Sequence, residues 1–307
     1  MTQPETGTTS AETKTDWART MLETACAEVG LSARGAKLVK FTNNAVYILA
    51  DAPITVRIAG SAAVRERVPT IIDVARWLAS HDIPAVRLVE RLPQPLPIHD
   101  SVVTFWHTVT TPAGSTPEPD GYDLGRLLRR YHALPGNEIE LPTWNPLISI
   151  RHRIAEQTVL TTADHRFLDD TCADLEHELS TLTFELQPGP IHGDSFIGNL
   201  ITAPEGPVLC DFDSASYGPR EWDLTPIAVG KLRFDYPTDY HNQLAHEYGL
   251  DVTGLPCFHT LRRLRELQLV TSVLPVLETN RSLFEQWQHR FLSFKNGDAN
   301  AKWTTYR

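Results

Sequence analysis

Chemistry in this chain is most concentrated in the stretch Pro190-Ile191-His192-Gly193-Asp194-Ser195-Phe196-Ile197-Gly198-Asn199-Leu200-Ile201. A Pro204-Glu205-Gly206-Pro207 turn follows, and then Val208-Leu209-Cys210-Asp211-Phe212-Asp213. These segments read as two short apolar strands joined by a turn, with acidic and amide side chains at their outer ends. Asp194 falls in a loop before the first strand, Asn199 at its start, and Asp211 where the second strand stops. Antiparallel pairing across such a hairpin brings Asn199 and Asp211 close together. Oxygen-bearing side chains converging on one point suit a hard cation such as Mg2+. A carboxylate beside that metal, here Asp194, can orient or deprotonate a hydroxyl nucleophile.

The elements that must position these residues follow from periodicity. Residues 1–15, rich in Thr and Glu and without an apolar run, read as a mobile tail and not as a signal peptide. Trp17 to Gly30 has helical spacing, with Asp16 as the expected N-cap and Gly30 as the stop. The period then changes to 2 over Lys37–Phe41, Ala45–Ala50 and Ile54–Ile58, separated by Thr42-Asn43-Asn44 and Asp51-Ala52-Pro53, which predicts an antiparallel meander. A helix is expected over Arg67–Ser80, then strands over Ala85–Val89 and Ser101–Trp106 around a Pro-rich turn. The Pro/Gly/Ser/Thr loop at 111–120 marks a lobe boundary. Beyond it helical periods dominate, over Tyr122–Leu134, Ser149–Leu160, Asp164–Leu182, Thr238–Tyr248 and Leu261–Leu277. The expected fold class is α+β, with a β-rich N-terminal lobe over 16–110 and a mainly helical C-terminal lobe over 111–307 that carries the Asp194 loop. A cleft between the lobes is the expected ligand site.

Composition excludes several function classes. The 307 residues are 41% hydrophobic and 21% charged, an ordinary globular balance. With 28 Lys and Arg against 38 Asp and Glu, the net charge of −10 argues against a nucleic-acid partner, whose phosphates need neutralising. That charge is compatible with a cationic small molecule. No run approaches the roughly 20 apolar residues of a membrane span. Cys26, Cys172, Cys210 and Cys257 form no CxxC pair and suit free thiols in a reducing cytoplasm. His246-Glu247-Tyr248-Gly249-Leu250 falls one His short of a zinc-protease motif.

The string His192-Gly193-Asp194, with Asn199 five residues on and Asp211 on the next strand, resembles the aminoglycoside phosphotransferase family, whose fold is protein-kinase-like. Phe41-Thr42-Asn43-Asn44-Ala45-Val46-Tyr47 resembles its nucleotide loop, and Pro219-Arg220-Glu221-Trp222-Asp223-Leu224 the segment after its metal strand. The resemblance implies a Mg2+-dependent kinase that moves the γ-phosphate of ATP or GTP to a hydroxyl of a small molecule, such as an aminoglycoside-like antibiotic, a sugar or an amino alcohol. It implies Asp194 as the catalytic base, Asn199 and Asp211 as Mg2+ ligands, and Asn43, Asn44 and Arg57 as nucleotide-binding residues. Arg57 stands where the family holds phosphates with a Lys or Arg, and a guanidinium forks onto phosphate oxygens. The helix carboxylate that pairs with this cation in kinase-like folds has only Glu66 and Asp73 as candidates, and neither fits well.

Each residue also has a plainer reading. An isolated Asp or Asn in a loop is most often a turn-former. His192 reads as a buried brace for the loop, and Asp223 as an acceptor for the loop's backbone. Asp213 reads either as an acid supporting the metal or as an ordinary exposed one. In Arg262-Arg263-Leu264-Arg265 the apolar spacing of Leu261, Leu264 and Leu267 predicts a core-facing helix with its arginines on a solvated face. Two rival functions remain. Gly193-Asp194-Ser195 matches the start of a serine esterase motif, although the only Asp-x-x-His, Asp174 to His177, precedes it. A non-catalytic binding protein on a kinase-like fold is expected to have lost Asp194, Asn199 or Asp211, and all are present.

Overall fold

The protein is described by a computed structural model that covers residues 8–41, 44–110, 118–278 and 280–306. In chain order the first elements are α1 (Thr8–Glu28), β1 (Lys37–Phe41), β2 (Asn44–Ile48), β3 (Ile54–Ala59), α2 (Ala62–Ser80), β4 (Leu96–Ile98) and β5 (Ser101–His107). Next come α3 (Gly121–His132), α4 (Pro146–Ala155), α5 (Thr162–Thr181), β6 (Gly189–Ile191), β7 (Leu200–Ile201), β8 (Val208–Leu209) and β9 (Ser216–Gly218). The last are α6 (Glu221–Arg233), α7 (Tyr240–Tyr248), α8 (Phe258–Thr271) and α9 (Phe284–Lys295). Among the described residues no helix is long and apolar enough to cross a membrane.

The chain forms two compact units. The first comprises the chain up to Glu118 with Asn137–Glu140 and Asn199–Ala215. Its antiparallel sheet has the order β1-β2-β3-β5-β4, so the expected meander is present and two further strands extend it. Alternation in β3 buries Ile54, Val56 and Ile58 against α1, in a core shared with Leu22, Tyr47 and Phe105. The same alternation puts Arg57 on the other face, level with Val46 of β2 and Thr104 of β5. The helix α2, capped by Ser61, packs on β3 and β5.

Three sequence expectations need correction here. The first helix starts at Thr8 and not after Asp16, so part of the expected tail is helical. Ala85–Val89 is not a ladder strand: it makes isolated bridges, Ala85 with Leu209 and Leu88 with Trp106. Val86 N donates to Leu209 O at 2.9 Å and Leu209 N to Pro84 O at 3.0 Å. Those bonds tie the β7–β8 hairpin to the β-rich unit, so 199–215 groups with it although the sequence boundary at 110 assigned this segment to the helical lobe.

The second unit holds α3 to α9 with the β6–β9 pair. Its core gathers Leu175, Ile191, Trp222, Leu264 and Trp287. Two of its helices escape the sequence reading. All but a few residues of α6 are buried, so it has no polar face to generate a period. In α9 the buried Trp287, Phe291 and Phe294 do recur at helical spacing.

Candidate active site

The Asp194 loop leaves β6 and is shaped by one buried carboxylate. Asp223, in the first turn of α6, is fully buried. Its Oδ1 accepts from Gly193 N at 2.8 Å, and its Oδ2 accepts from His192 N at 2.7 Å and contacts His132 Nε2 at 3.0 Å. Burial pushes this carboxyl up, but the His132 hydrogen bond, the His132 and His192 imidazoles and the His192 amide outweigh it and hold it below the ordinary range. With Nε2 donating to the carboxylate, His132 Nδ1 accepts from Tyr248 Oη at 2.8 Å. The loop is tied at further points. Trp222 Nε1 donates to Gly193 O at 2.8 Å, and the buried Ser195 hydroxyl donates to the Asp223 carbonyl. His192 has no exposed surface, and its Nδ1 accepts from Asp194 N at 3.4 Å. Gly193 has φ +83°, a conformation that costs glycine nothing.

Asp194 itself keeps 34% of its side chain exposed, and its Oδ1 accepts from Arg265 Nη1 at 2.9 Å. Arg265 corrects the expectation of a solvated arginine face, because it is only 8% exposed. Its neighbours on α8 also have partners: Arg262 pairs with Glu266 at 2.7 Å, and Arg263 with Glu178 at 2.7 Å.

The second group of site residues lies in the β-rich unit. A 3-10 turn over Ile197–Asn199 leads into β7, and Leu200 pairs with Leu209 of β8. Cys210 N donates to Asn199 O at 3.0 Å, so the hairpin sets Asn199 beside the residue that precedes Asp211. Asn199 is buried, and Asp211 has φ +68°, a left-handed conformation that Asp tolerates better than most residues. Asp211 lies 3.1 Å from Lys40 Nζ and 3.6 Å from Arg57 Nη2. Asp213 takes Arg57 Nη2 on Oδ1 and Asn44 Nδ2 on Oδ2, the latter at 3.1 Å. Arg67 of α2 donates to Asp213 O at 3.0 Å and Ala215 O at 2.8 Å. Burial and the Asp211 charge push the Cys210 thiol up to about 12 against the pull of Lys40 and Arg57, so it stays a thiol at neutral pH.

The carboxylate partner of Arg57 is therefore Asp213, and neither Glu66 nor Asp73 of α2 takes that part. The structure brings Asn44, Arg57, Asp211 and Asp213 together, with Asn199 at the foot of the hairpin, while Asn43 lies outside the described residues. Sequence reasoning missed Lys40, Arg67, Arg265 and His132. Only Arg265 left a trace, since it falls four residues after Leu261, on the core stripe.

The donor chemistry fits Mg2+. Asn199 and Asp211 offer oxygen atoms at adjoining hairpin positions. Among the described residues no three His, Cys, Asp or Glu side chains converge on a metal position. Mg2+ is commonly held by one or two carboxylates with water and substrate phosphates in place of a full protein cage.

No curated protein matches this chain by sequence. Several solved structures match it in fold. The amicoumacin kinase hAmiN, in complex with AMP-PNP, Ca2+ and Ami, is 13% identical with a TM-score of 0.65 over 89% of this chain and 91% of its own. A choline/ethanolamine kinase family protein from Mesorhizobium loti is 16% identical with a TM-score of 0.61, over 92% and 94%. Wild-type aminoglycoside 2'-phosphotransferase-IIIa in complex with GDP is 13% identical with a TM-score of 0.62, over 93% and 99%. These likenesses agree with the α+β, protein-kinase-like class expected from the sequence. The model of the phosphotransferase enzyme family matches residues 38–267, a span that includes Arg57, Asp194, Asn199, Asp211 and Arg265, and the chain belongs to that family of enzymes acting on hydroxyl groups.

Proposed function

We propose that this protein moves the γ-phosphoryl group of ATP or GTP, with Mg2+, to a hydroxyl of a small molecule. The observation that carries the reading is the Asp194 loop: the flanking backbone amides and the Ser195 hydroxyl are committed to Asp223, while Asp194 stays one-third exposed. A carboxylate so positioned orients the acceptor hydroxyl and takes its proton as the transfer proceeds. Arg265 fixes one of its oxygens. Asn199 and Asp211 would hold the Mg2+, whose charge neutralises the triphosphate oxygens when bound. The contacts of Arg57 with Asp211 and Asp213 use Nη2 alone, so its other donors can reach phosphate oxygens. Lys40 and Asn44 complete the polar wall around this hairpin. The buried Ser195 hydroxyl, donating to a carbonyl, speaks against a serine esterase. All four cysteines are free, in keeping with a cytoplasmic location.

The test is nucleoside diphosphate formation from Mg-ATP and Mg-GTP with a panel of hydroxylated antibiotics, sugars and amino alcohols. Acceptor-dependent diphosphate release that is lost in Asp194→Asn is expected. Hydrolysis of esters with no acceptor-dependent release would overturn the reading.

A further inference from the structure

Resting on that phosphotransferase reading, we propose that the acceptor carries an oxyanion, a carboxylate or a phosphate, which Arg265 and Arg153 bind beside Asp194. Arg265 is 8% exposed, and a charge so deeply buried requires compensating partners. Its Nη1 donates to Asp194 Oδ1 at 2.9 Å and to Gln268 Oε1 at 2.7 Å, but its buried Nε has no hydrogen-bond partner. Two other arginines show what the Nε–Nη2 edge takes in this fold. Arg76 presents it to Glu90 at 3.1 and 2.9 Å, and Arg233 presents it to Glu266 at 2.7 and 2.9 Å. Among the described residues the Nε of Arg265 makes no such bond.

Arg153 of α4 adds a second cation. Its hydrogen bonds go to Ser149 O at 3.2 Å and Ser149 Oγ at 3.1 Å, and among the described residues it has no carboxylate ion-pair partner. Burial and the charge of Arg265 push its guanidinium down, while Asp194 acts in the opposite sense. The helix α4, which carries Arg153, packs on α8, which carries Arg265, and Arg265 touches Asp194, so two cations and one carboxylate share one neighbourhood. A planar or tetrahedral oxyanion matches the fork of a guanidinium and restores the balance. A cationic acceptor would add a third positive charge. The local field here is opposite in sign to the net charge of −10, and the local field governs what docks.

The test reads the Arg265 Nε–H resonance by 15N NMR in full-length protein with Mg2+ and a non-hydrolysable ATP analogue, assigned by its loss in Arg265→Lys. Titration with acetate, methyl phosphate and ethylammonium should give a saturable shift with one or both anions and none with the ammonium ion. The preferred anion separates a carboxylate-bearing from a phosphate-bearing acceptor. In Arg153→Met the anion should bind about tenfold more weakly, the loss of one charge-assisted contact. Saturation by ethylammonium, or no saturable shift with either anion, overturns the proposal. Acceptor screening separates the two ideas: phosphate transfer confined to acceptors without an anion sinks the anion site and leaves the phosphotransferase standing. Anion binding without transfer to any acceptor sinks the phosphotransferase reading and with it the role of the anion as acceptor.

Discussion

The Asp194 loop and the Asp211 hairpin each set an acidic side chain against an arginine, but they are built differently. The loop is held by buried groups: Asp223 has no exposed surface and satisfies two backbone amides and an imidazole. The hairpin is framed by side-chain ion pairs that reach solvent, with Lys40 54% and Asp211 29% exposed. Exposed pairs contribute little to stability, whereas removing one partner from a buried network is costly. The loop's shape is therefore fixed when the chain folds. The hairpin's charges can exchange partners, which is what the proposed nucleotide and metal site would require.

Substitutions at five positions would break or sharpen that contrast. The largest effect is expected at the hairpin: Asp211→Ala should lower phosphate-transfer turnover by about 10³-fold or more with little change in unfolding free energy. Wild-type turnover in that variant would remove Asp211 from the site. Asp194→Asn should cost about 10²–10⁴-fold in turnover and leave nucleotide affinity unchanged, as measured by calorimetry with an ATP analogue. Asp223→Ala is expected to destabilise the fold by about 3–5 kcal/mol in urea unfolding, because it leaves buried donors without a partner. The folded Asp223 carboxyl lies below its ordinary range, so its contribution is complete above the unfolded value of about 4 and fades as pH falls toward the folded one. The stability gap between wild type and Asp223→Ala should accordingly narrow below about pH 4, and a gap that widens there would contradict the assignment.

Smaller effects test each side of the comparison. Arg57→Ala should weaken nucleotide binding about tenfold, with Arg57→Lys recovering part of it as a point charge. Equal affinity in all three proteins would exclude the phosphate contact. Ser195→Ala removes one buried hydrogen bond and should cost about 1 kcal/mol of stability while most phosphate transfer survives. Loss of an ester hydrolysis activity in that variant would instead make Ser195 a nucleophile.

Much of the fold could be read from periodicity. The strands β2 and β3 alternate buried and half-buried residues over most of their length, and α2, α3 and α5 have a polar face opposite their core. The helix α6 was invisible because burial all round erases the period. The strand β4 was hidden in Leu96-Pro97-Ile98, where the proline suggested a turn.

By itself the sequence determined the order of the periodic elements, the hairpin between Asn199 and Asp211, and the family. These depend on local alternation and on residues near one another in the chain. Tertiary structure alone decided the partners of the charged groups: Asp213 for Arg57, Lys40 for Asp211, Arg265 for Asp194, and His132 for Asp223. Those pairs are separated by 156, 171, 71 and 91 residues. An ion pair between distant elements has no period and no preferred spacing, so only the packing of those elements determines which opposite charge a side chain meets.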